Sequence, residues 1–271
     1  MLLKERYELR EQIATGGLGD TFRAVDSATG EAVAMKRLHR QYTDAAPERV
    51  AEFRAESTRI NALKHPHIAR VHDVVEQDGL YYVVMDYFSG GTLTERAAKQ
   101  PITVRDVLRY TTPIADALAH GHRLGLVHQD VKPGNILFKE DDLPTLVEYG
   151  LPRIKLSKAA VAQGIVTGTQ EYIAPEMLQT QQYSISIDVW AMGIMLFELL
   201  AGHRPFTGND VMERFNAILK QPAPDLAALR SDIPPDLARL VGSLLVKDPA
   251  QRMSSAELHA ALFALQIGFD A

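Results

Sequence analysis

Along the first ninety residues, hydrophobic and polar positions alternate with the two-residue period of strands, and glycines separate the runs. One exception is the stretch 47–64, where Val50, Phe53, Ile60 and Leu63 follow the spacing of an amphipathic helix. The predicted strands begin at Tyr7 and cover Thr21–Val25, Ala32–Leu38, Ile68–Val75 and Leu80–Met85. This part of the pattern predicts an antiparallel sheet accompanied by one main helix.

From Thr92 onward, the hydrophobic spacing is that of helices. The helix that begins at Asp188 is apolar on nearly all sides, which predicts that it is buried and that Trp190 belongs to the core. The predicted helices are Val104–Leu124, Asp188–Leu200, Asp210–Lys220, Pro235–Val246 and Ser255–Leu265, and a short hairpin is predicted from Ile136–Phe138 and Thr145–Val147. The fold class is therefore predicted to be α+β.

Composition narrows the classes of function. The 271 residues are 46% apolar and 23% charged, as in globular proteins, and the net charge of -5 does not favour nucleic acid as a partner. The absence of cysteine excludes disulfides and thiolate metal sites, and it fits a cytoplasmic protein. Because no run of eighteen apolar residues occurs, no membrane contact is expected within this chain.

Three polar side chains of different chemistry, Asp130, Lys132 and Asn135, lie between two apolar runs. Pro133 and Gly134 place them on a loop, since neither residue suits the interior of a helix or a central strand. A carboxylate can accept a hydroxyl proton, an ammonium can steady a transferring phosphate, and an amide oxygen can bind a metal ion. A plain polar turn between buried segments remains the alternative at this point.

This loop resembles the catalytic loop of protein kinases, whose pattern is H-R-D-L-x-x-x-N. The resemblance implies that Asp130 accepts the substrate's proton, that Lys132 stabilises the transferring phosphate, and that Asn135 binds Mg²⁺, with Mn²⁺ as the alternative ion. Gln129 stands where many kinases carry an arginine that binds a phosphorylated residue of the activation loop. This departure predicts a weaker dependence on phosphorylation of that loop.

A glycine turn at Gly16, Gly17 and Gly19 lies between the first two predicted strands. Because a strand and not a helix follows it, a dinucleotide-binding turn is disfavoured, whereas a plain hairpin stays open. The turn resembles the phosphate-covering loop of kinases, G-x-G-x-x-G-x-V, with Ala14 at the first glycine and Thr21 at the valine.

The stretch Val33–Lys36 resembles the V-A-I-K strand of kinases, which implies that Lys36 binds the α- and β-phosphates of ATP. Strand alternation puts Lys36 on the same face as Ala34. Glu56 lies on the apolar face of the predicted helix, and we expect it to pair with Lys36. An ordinary edge-strand lysine is the alternative reading of Lys36 alone.

The segment after Leu80–Met85 resembles the kinase hinge, which implies that Met85 lies beside the adenine and that Asp86 to Phe88 offer backbone groups to its edge. The implied cofactor is ATP. The residues that the resemblance assigns to nucleotide binding are Ala14, Gly16, Gly17, Gly19, Thr21, Ala34, Lys36, Met85, Asp86, Phe88 and Asn135.

Glu148, followed by Tyr149 and Gly150, stands where kinases have D-F-G, and the resemblance makes it the second metal ligand beside Asn135. The glutamate is one methylene longer than the family's aspartate. Because Mg²⁺ requires near-ideal octahedral geometry at about 2.0–2.1 Å, this departure predicts weakened metal binding or catalysis.

Residues 168–176 resemble the G-T-x-x-Y and A-P-E signature that shapes the peptide platform of protein kinases. The match implies protein substrates and disfavours a small-molecule phosphotransferase. Lys132 together with Thr169 favours serine or threonine as the acceptor, and Ser157, Thr167 and Thr169 are the candidate activation-loop hydroxyls.

The motifs together cover about residues 7–265, and the chain is identified as a member of the bacterial eukaryotic-like Ser/Thr protein kinases. The resemblance implies a bilobal fold, with an N-lobe and hinge over 1–88 and a mostly helical C-lobe over 89–271. It also implies that Asp188 supports the catalytic loop and that Arg252 pairs with Glu176.

The function predicted from these motifs is phosphate transfer from ATP to serine or threonine of proteins, including this protein itself. The alternative is a pseudokinase that binds nucleotide or partners with weak or no catalysis, as the replacements at Ala14, Gln129 and Glu148 suggest. A homodimer is compatible with the family by analogy.

Overall fold

The computed structural model describes residues 2–40, 54–55, 57–61, 63–139, 141–151, 170–180 and 183–270. Four predicted site residues, Glu56, Ser157, Thr167 and Thr169, lie outside the described residues.

The described residues group into two compact units. The first contains the residues up to Ser89 and residues 148–151, and the second contains Gly90–Val147 and the described residues from 170 onward. The division of the domain after residue 88, inferred from the sequence, stays a prediction.

The first unit is built on an antiparallel sheet with the strand order β1-β2-β3-β4-β6-β5. Its strands are β1 (Leu2–Leu3), β2 (Tyr7–Gly16), β3 (Gly19–Asp26), β4 (Ala32–Leu38), β5 (Val71–Gln77) and β6 (Leu80–Asp86). Residues 54–55 and 57–61 are helical, within the helix predicted over 47–64. The predicted sheet is thus confirmed, and β5 begins and ends later than the predicted Ile68–Val75.

Alternation along β4 separates its two faces as the sequence predicts. Val33 and Met35 join a buried apolar cluster with Tyr7, Tyr82 and Val84, whereas Lys36 is not part of that cluster. Strands β3 and β6 flank β4 on both sides, so the strand that carries Lys36 is central and not at an edge.

The second unit is mostly helical and contains a short antiparallel hairpin. Its elements are α1 (Leu93–Lys99), α2 (Val104–Arg123), β7 (Ile136–Phe138), β8 (Pro144–Leu146), α3 (Pro175–Gln179), α4 (Ser186–Ala201), α5 (Val211–Lys220), α6 (Leu226–Leu229), α7 (Pro235–Leu244) and α8 (Ser255–Asp270). Helix α2 packs against α4 and α8, and α4 packs against α7. Trp190 of α4 is fully buried and stacks on Phe206 at a ring distance of 5.6 Å, as expected for a core residue.

Element ends differ from the sequence predictions by a few residues, as is usual for boundaries. Helix α8 extends to Asp270, five residues beyond the predicted end at Leu265, because it packs along α2. Helix α7 stops at Leu244 and not at Val246. Helix α1 was not predicted, although Thr92 and Glu95 form a capping box at its start, which is a signal the sequence contains.

Within the described residues, no helix is both long enough and apolar enough to cross a membrane.

Candidate active site

Lys36 lies on the central strand β4, between Thr21 of β3 and Val83 of β6. Its ammonium donates to Oε1 of Glu148, and the two side chains are only 6% and 15% exposed. Glu148 has a backbone φ of 65°, a left-handed conformation that is uncommon for a residue with a side chain. A buried lysine therefore has a carboxylate partner within the first unit, and that partner is not one the sequence motifs assign to it.

The glycine turn between β2 and β3 brings Gly16 opposite Gly19. A Cβ atom on Gly19 would lie 2.0 Å from the carbonyl oxygen of Arg37, so only glycine fits there. Two residue pairs further along the hairpin, Ala14 faces Thr21 across the strands. The absence of a glycine at Ala14 does not prevent the hairpin from forming.

The residues expected around the adenine lie at the end of the sheet. Met85 of β6 is paired with Ala34 of β4, so these two predicted contacts are neighbours in register. The backbone N–H of Asp86 donates to the carbonyl of Arg70 at 3.1 Å, and the Asp86 carboxylate accepts from the Arg70 N–H at 3.0 Å. Asp86 thereby fixes the chain at the end of β6, and Phe88 beyond it is buried.

The catalytic loop of the second unit brings Asp130, Lys132 and Asn135 together as the sequence predicts. Lys132 Nζ donates to Oδ2 of Asp130 at 2.6 Å, and Asn135 Nδ2 donates to the same oxygen at 3.0 Å. Asn135 Nδ2 also donates to the backbone carbonyl of Asp130 at 2.8 Å, and Pro133–Asn135 forms a 3₁₀ turn. The three side chains thus form one connected polar cluster on this loop.

Asp188, in the first turn of α4, supports the backbone of this loop. Its Oδ2 accepts the N–H of His128 at 2.7 Å, and its Oδ1 accepts the N–H of Gln129 at 2.8 Å. The ring of His128 bonds the carbonyl of Val147 at 2.8 Å. The predicted support of the catalytic loop by Asp188 is confirmed. Asp130 directly follows the two residues whose backbone N–H groups Asp188 binds.

Gln129, whose backbone N–H donates to Asp188, adopts a positive φ of 77°. Its side-chain amide nitrogen and oxygen are both shielded from solvent, and neither has a hydrogen-bond partner among the described residues. The amide carries no charge, so this position lacks the cation with which an arginine would hold a phosphate.

Glu176 and Arg252 form a buried, bidentate ion pair, as predicted. Arg252 Nη1 donates to Oε1 of Glu176 at 2.8 Å and Nη2 donates to Oε2 at 3.1 Å. Nη1 also donates to the carbonyl of Ser186 at 2.8 Å, which ties the start of α3 to the start of α4.

A groove lies beside the catalytic loop within the second unit, and no sequence pattern predicts it. Lys132, Gly134, Tyr172 and Ile102 are among its lining residues. Tyr172 donates its hydroxyl to Glu198 in this groove, and burial together with that carboxylate raises the pKa of Tyr172. The phenol is therefore kept protonated and continues to donate to Glu198.

Two residues that could hold a metal ion differ in their availability. Asn135 uses its Nδ2 for hydrogen bonds, which leaves the amide oxygen as the donor atom that Mg²⁺ prefers. Glu148 also has the right atom type, but one of its oxygens is engaged by Lys36. Among the described residues, no group of three or more His, Asp or Glu side chains could hold a metal ion by itself.

Comparison with known proteins agrees with this arrangement. The protein kinase domain family matches residues 7–264. The chain belongs to this family. It is 35% identical over 259 residues to the serine/threonine-protein kinase PknA of Mycobacterium tuberculosis and 32% identical over 257 residues to PknL of the same organism.

These matches cover 93% and 94% of this kinase domain but only 59% and 64% of the two relatives, so the chain spans about three fifths of their length. Among solved structures, the fold resembles the crystal structure of Rad53 1-466 in complex with AMP-PNP, with a TM-score of 0.78 and 27% identity. That match covers 97% of this chain and 65% of the other.

Proposed function

We propose that this kinase domain transfers the γ-phosphate of ATP to serine and threonine hydroxyls of proteins. The observation that carries the proposal is the polar cluster of Asp130, Lys132 and Asn135 on the catalytic loop. The relatives named as serine/threonine-protein kinases support it, as does the neighbour solved with an ATP analogue.

Asp130 orients the substrate hydroxyl and takes its proton, in this proposal. Its carboxylate is fixed by two donors, Lys132 and Asn135, so it does not have to reorganise when the substrate arrives. Lys132 has the additional role of neutralising charge on the transferring phosphate. A lysine two residues after the aspartate, in the same connected cluster, suits an alcohol acceptor of the serine or threonine type.

ATP would be bound by residues of the glycine turn and of β4 and β6. Gly16, Gly17 and Gly19 cover its phosphates, Lys36 binds the α- and β-phosphates, and Met85 lies beside the adenine. The remaining proposed contacts are Ala14, Thr21, Ala34, Asp86, Phe88 and Asn135. Glu56 keeps its proposed role as a partner of Lys36 in the nucleotide-bound protein.

Asn135 and Glu148 are the proposed ligands of magnesium, because amide and carboxylate oxygens are the donor atoms that this ion prefers. When bound, the ion supplies positive charge to the phosphate oxygens. The carboxylate of Glu148 would then have to bind both the ion and the ammonium of Lys36. We therefore expect a higher requirement for metal than an aspartate would give, with Mn²⁺ as a substitute.

Protein substrates are favoured by the groove beside Lys132 and by the buried Glu176–Arg252 pair. The pair anchors the segment that follows Thr169, and the groove is lined by Lys132, which contacts Asp130. Ser157, Thr167 and Thr169 are the proposed sites of self-phosphorylation. A small-molecule phosphotransferase would not need this surface.

A pseudokinase is the second candidate, and the Lys36–Glu148 contact is the observation in its favour, because it occupies both charged groups. The intact Asp130 cluster is evidence against a pseudokinase, since a chain without catalysis does not require a fixed proton acceptor.

We further propose that this protein acts in the cytoplasm, and a homodimer is proposed by analogy with the family.

The experiment is transfer of labelled phosphate from ATP with Mg²⁺ to the protein itself and to a generic basic protein, followed by phosphoamino-acid analysis. The proposal expects label on serine and threonine and its loss in Asp130→Asn. Label on tyrosine only would overturn the acceptor assignment. ATP binding without any transfer would favour the pseudokinase.

A further inference from the structure

Ser255, His122 and Asp188 form a buried hydrogen-bonded chain in the second unit. The Ser255 hydroxyl lies 2.7 Å from Nδ1 of His122, and Nε2 of His122 lies 2.9 Å from Oδ2 of Asp188. The side chains of His122 and Asp188 are 3% and 1% exposed, and Ser255 is buried. The three residues come from α2, α4 and α8, which pack together.

The partners of the imidazole fix where its proton lies. The Asp188 carboxylate already accepts the backbone N–H groups of His128 and Gln129, and as an anion it can only accept. Nε2 of His122 must therefore carry the hydrogen. In the neutral ring Nδ1 is then an acceptor, and the Ser255 hydroxyl is the donor that faces it.

We propose that Ser255 is a positioning residue for the catalytic loop. Its hydroxyl holds His122 in the tautomer and ring orientation that direct Nε2–H at Asp188. Asp188 in turn holds the two backbone N–H groups that precede Asp130. The inference rests on the proposed function, because it assigns Ser255 a role in placing the proton acceptor of phosphate transfer.

Without the hydroxyl, Nδ1 would be a buried acceptor with no donor, which is costly. The ring could avoid this cost by moving its proton to Nδ1 or by turning over. Either change alters the bond to Asp188, and the carboxylate would have to shift away from the backbone of His128. The effect therefore reaches the loop of Asp130 without any contact between Ser255 and a substrate.

Ser255 is not required to begin its helix, because its neighbour does that. Ser254 Oγ accepts the N–H of Glu257 at 3.2 Å, and the Glu257 carboxylate accepts the N–H of Ser254 at 2.7 Å. Ser254 thus provides a matched control: its removal weakens the start of α8 and leaves the chain through His122 intact.

The test compares Ser255→Thr with Ser255→Val. Threonine keeps the hydroxyl, and valine has nearly the same shape as threonine but no hydroxyl. Phosphate-transfer kinetics should show kcat reduced at least tenfold in Ser255→Val with KM for ATP within twofold of wild type. Ser255→Thr should stay within threefold of the wild-type kcat. Ser254→Ala should lower the melting temperature and keep kcat. A Ser255→Val enzyme with wild-type kcat, or a Ser255→Thr enzyme equally impaired, overturns the proposal.

A second readout does not depend on catalysis. Long-range ¹H–¹⁵N spectra of the histidine rings, with His122 assigned through His122→Asn, report which nitrogen carries the proton. Wild type and Ser255→Thr should show protonated Nε2 and unprotonated Nδ1 at His122, and Ser255→Val, or Ser255→Ala if the valine does not fit, should change that pattern. An unchanged pattern overturns the proposal, and absence of transfer in wild type would overturn only the proposed function.

Discussion

Lys36 and Glu148 form a buried ion pair within the first unit of the protein. In the family's pattern these positions belong to the phosphate-binding lysine and the metal-binding acid. Here the acid is one methylene longer and already has a cation as its partner. The replacement of the family's aspartate by Glu148 is the main departure of this chain, and it goes together with an ion pair to Lys36.

Removing either partner of this pair should destabilise the protein. Lys36→Met and Glu148→Gln should each lower the free energy of unfolding by about 3 kcal/mol, because each leaves a buried group without its counter-charge. The double variant should lose less than the sum of the two, since no uncompensated charge remains. Urea unfolding of the four proteins measures the coupling. Additive losses would mean that the two side chains do not interact in solution.

The Glu176–Arg252 pair should contribute to stability in a way that lysine cannot replace. Arg252→Lys keeps the positive charge but loses the bidentate contact and the bond to Ser186, so the free energy of unfolding should fall by about 1–3 kcal/mol. Arg239, an exposed residue of α7, gives the matched control, and Arg239→Lys should change stability by less than about 0.5 kcal/mol. Equal effects of the two substitutions would contradict the structural role of Arg252.

Activity should depend little on phosphorylation of the activation loop. The side chain of Gln129 is uncharged, and its amide has no hydrogen-bond partner among the described residues, so it lacks the means to hold a phosphate. Transfer rates measured before and after phosphatase treatment should agree within about twofold, which corresponds to about 0.4 kcal/mol in the activation barrier. Gln129→Arg is the comparison, since it restores the cation and should make the rate sensitive to phosphatase. A large loss of wild-type activity would show that another group binds the phosphate.

Stability should fall in acid through Asp26. Hydrogen bonds from Arg6 hold the pKa of the Asp26 carboxyl below its ordinary value, and burial opposes that shift. The ionised carboxylate is therefore favoured in the folded protein. Its contribution is fully present above the unfolded pKa of about 3.9 and is lost as the pH falls through the lower folded pKa.

Asp26→Asn removes this contribution, so wild type should exceed the variant in unfolding free energy at pH 7. The difference should shrink steadily below pH 4 when both proteins are unfolded with urea at each pH. A difference that is constant with pH would mean that the ionisation of Asp26 is not coupled to folding.

Local sequence patterns were sufficient for much of the fold. The alternation in β4 gave the correct faces for Val33 and Met35, and the apolar helix around Trp190 proved to be buried. The order of short motifs also led to the Asp130 cluster and to the Glu176–Arg252 pair. In these cases residue type and spacing constrain the contacts strongly.

Contacts that depend on backbone conformation or on distant packing could not be predicted. The Lys36–Glu148 pair joins residues far apart in sequence and goes with the positive φ of Glu148, which no pattern indicates. Ser255 meets His122 only because α8 packs on α2, and a serine at a helix start is usually read as a cap. The pairing of Lys36 with Glu56 stays a prediction, since Glu56 lies outside the described residues.

The most direct test of the account measures initial rates of phosphate transfer from ATP in wild type, Asp130→Asn and Glu148→Asp over a range of Mg²⁺ concentrations. We predict transfer by the wild type, a loss of at least about 100-fold in Asp130→Asn, and a lower half-saturating Mg²⁺ concentration in Glu148→Asp. No transfer by either the wild type or Glu148→Asp, with ATP still bound, would contradict the account.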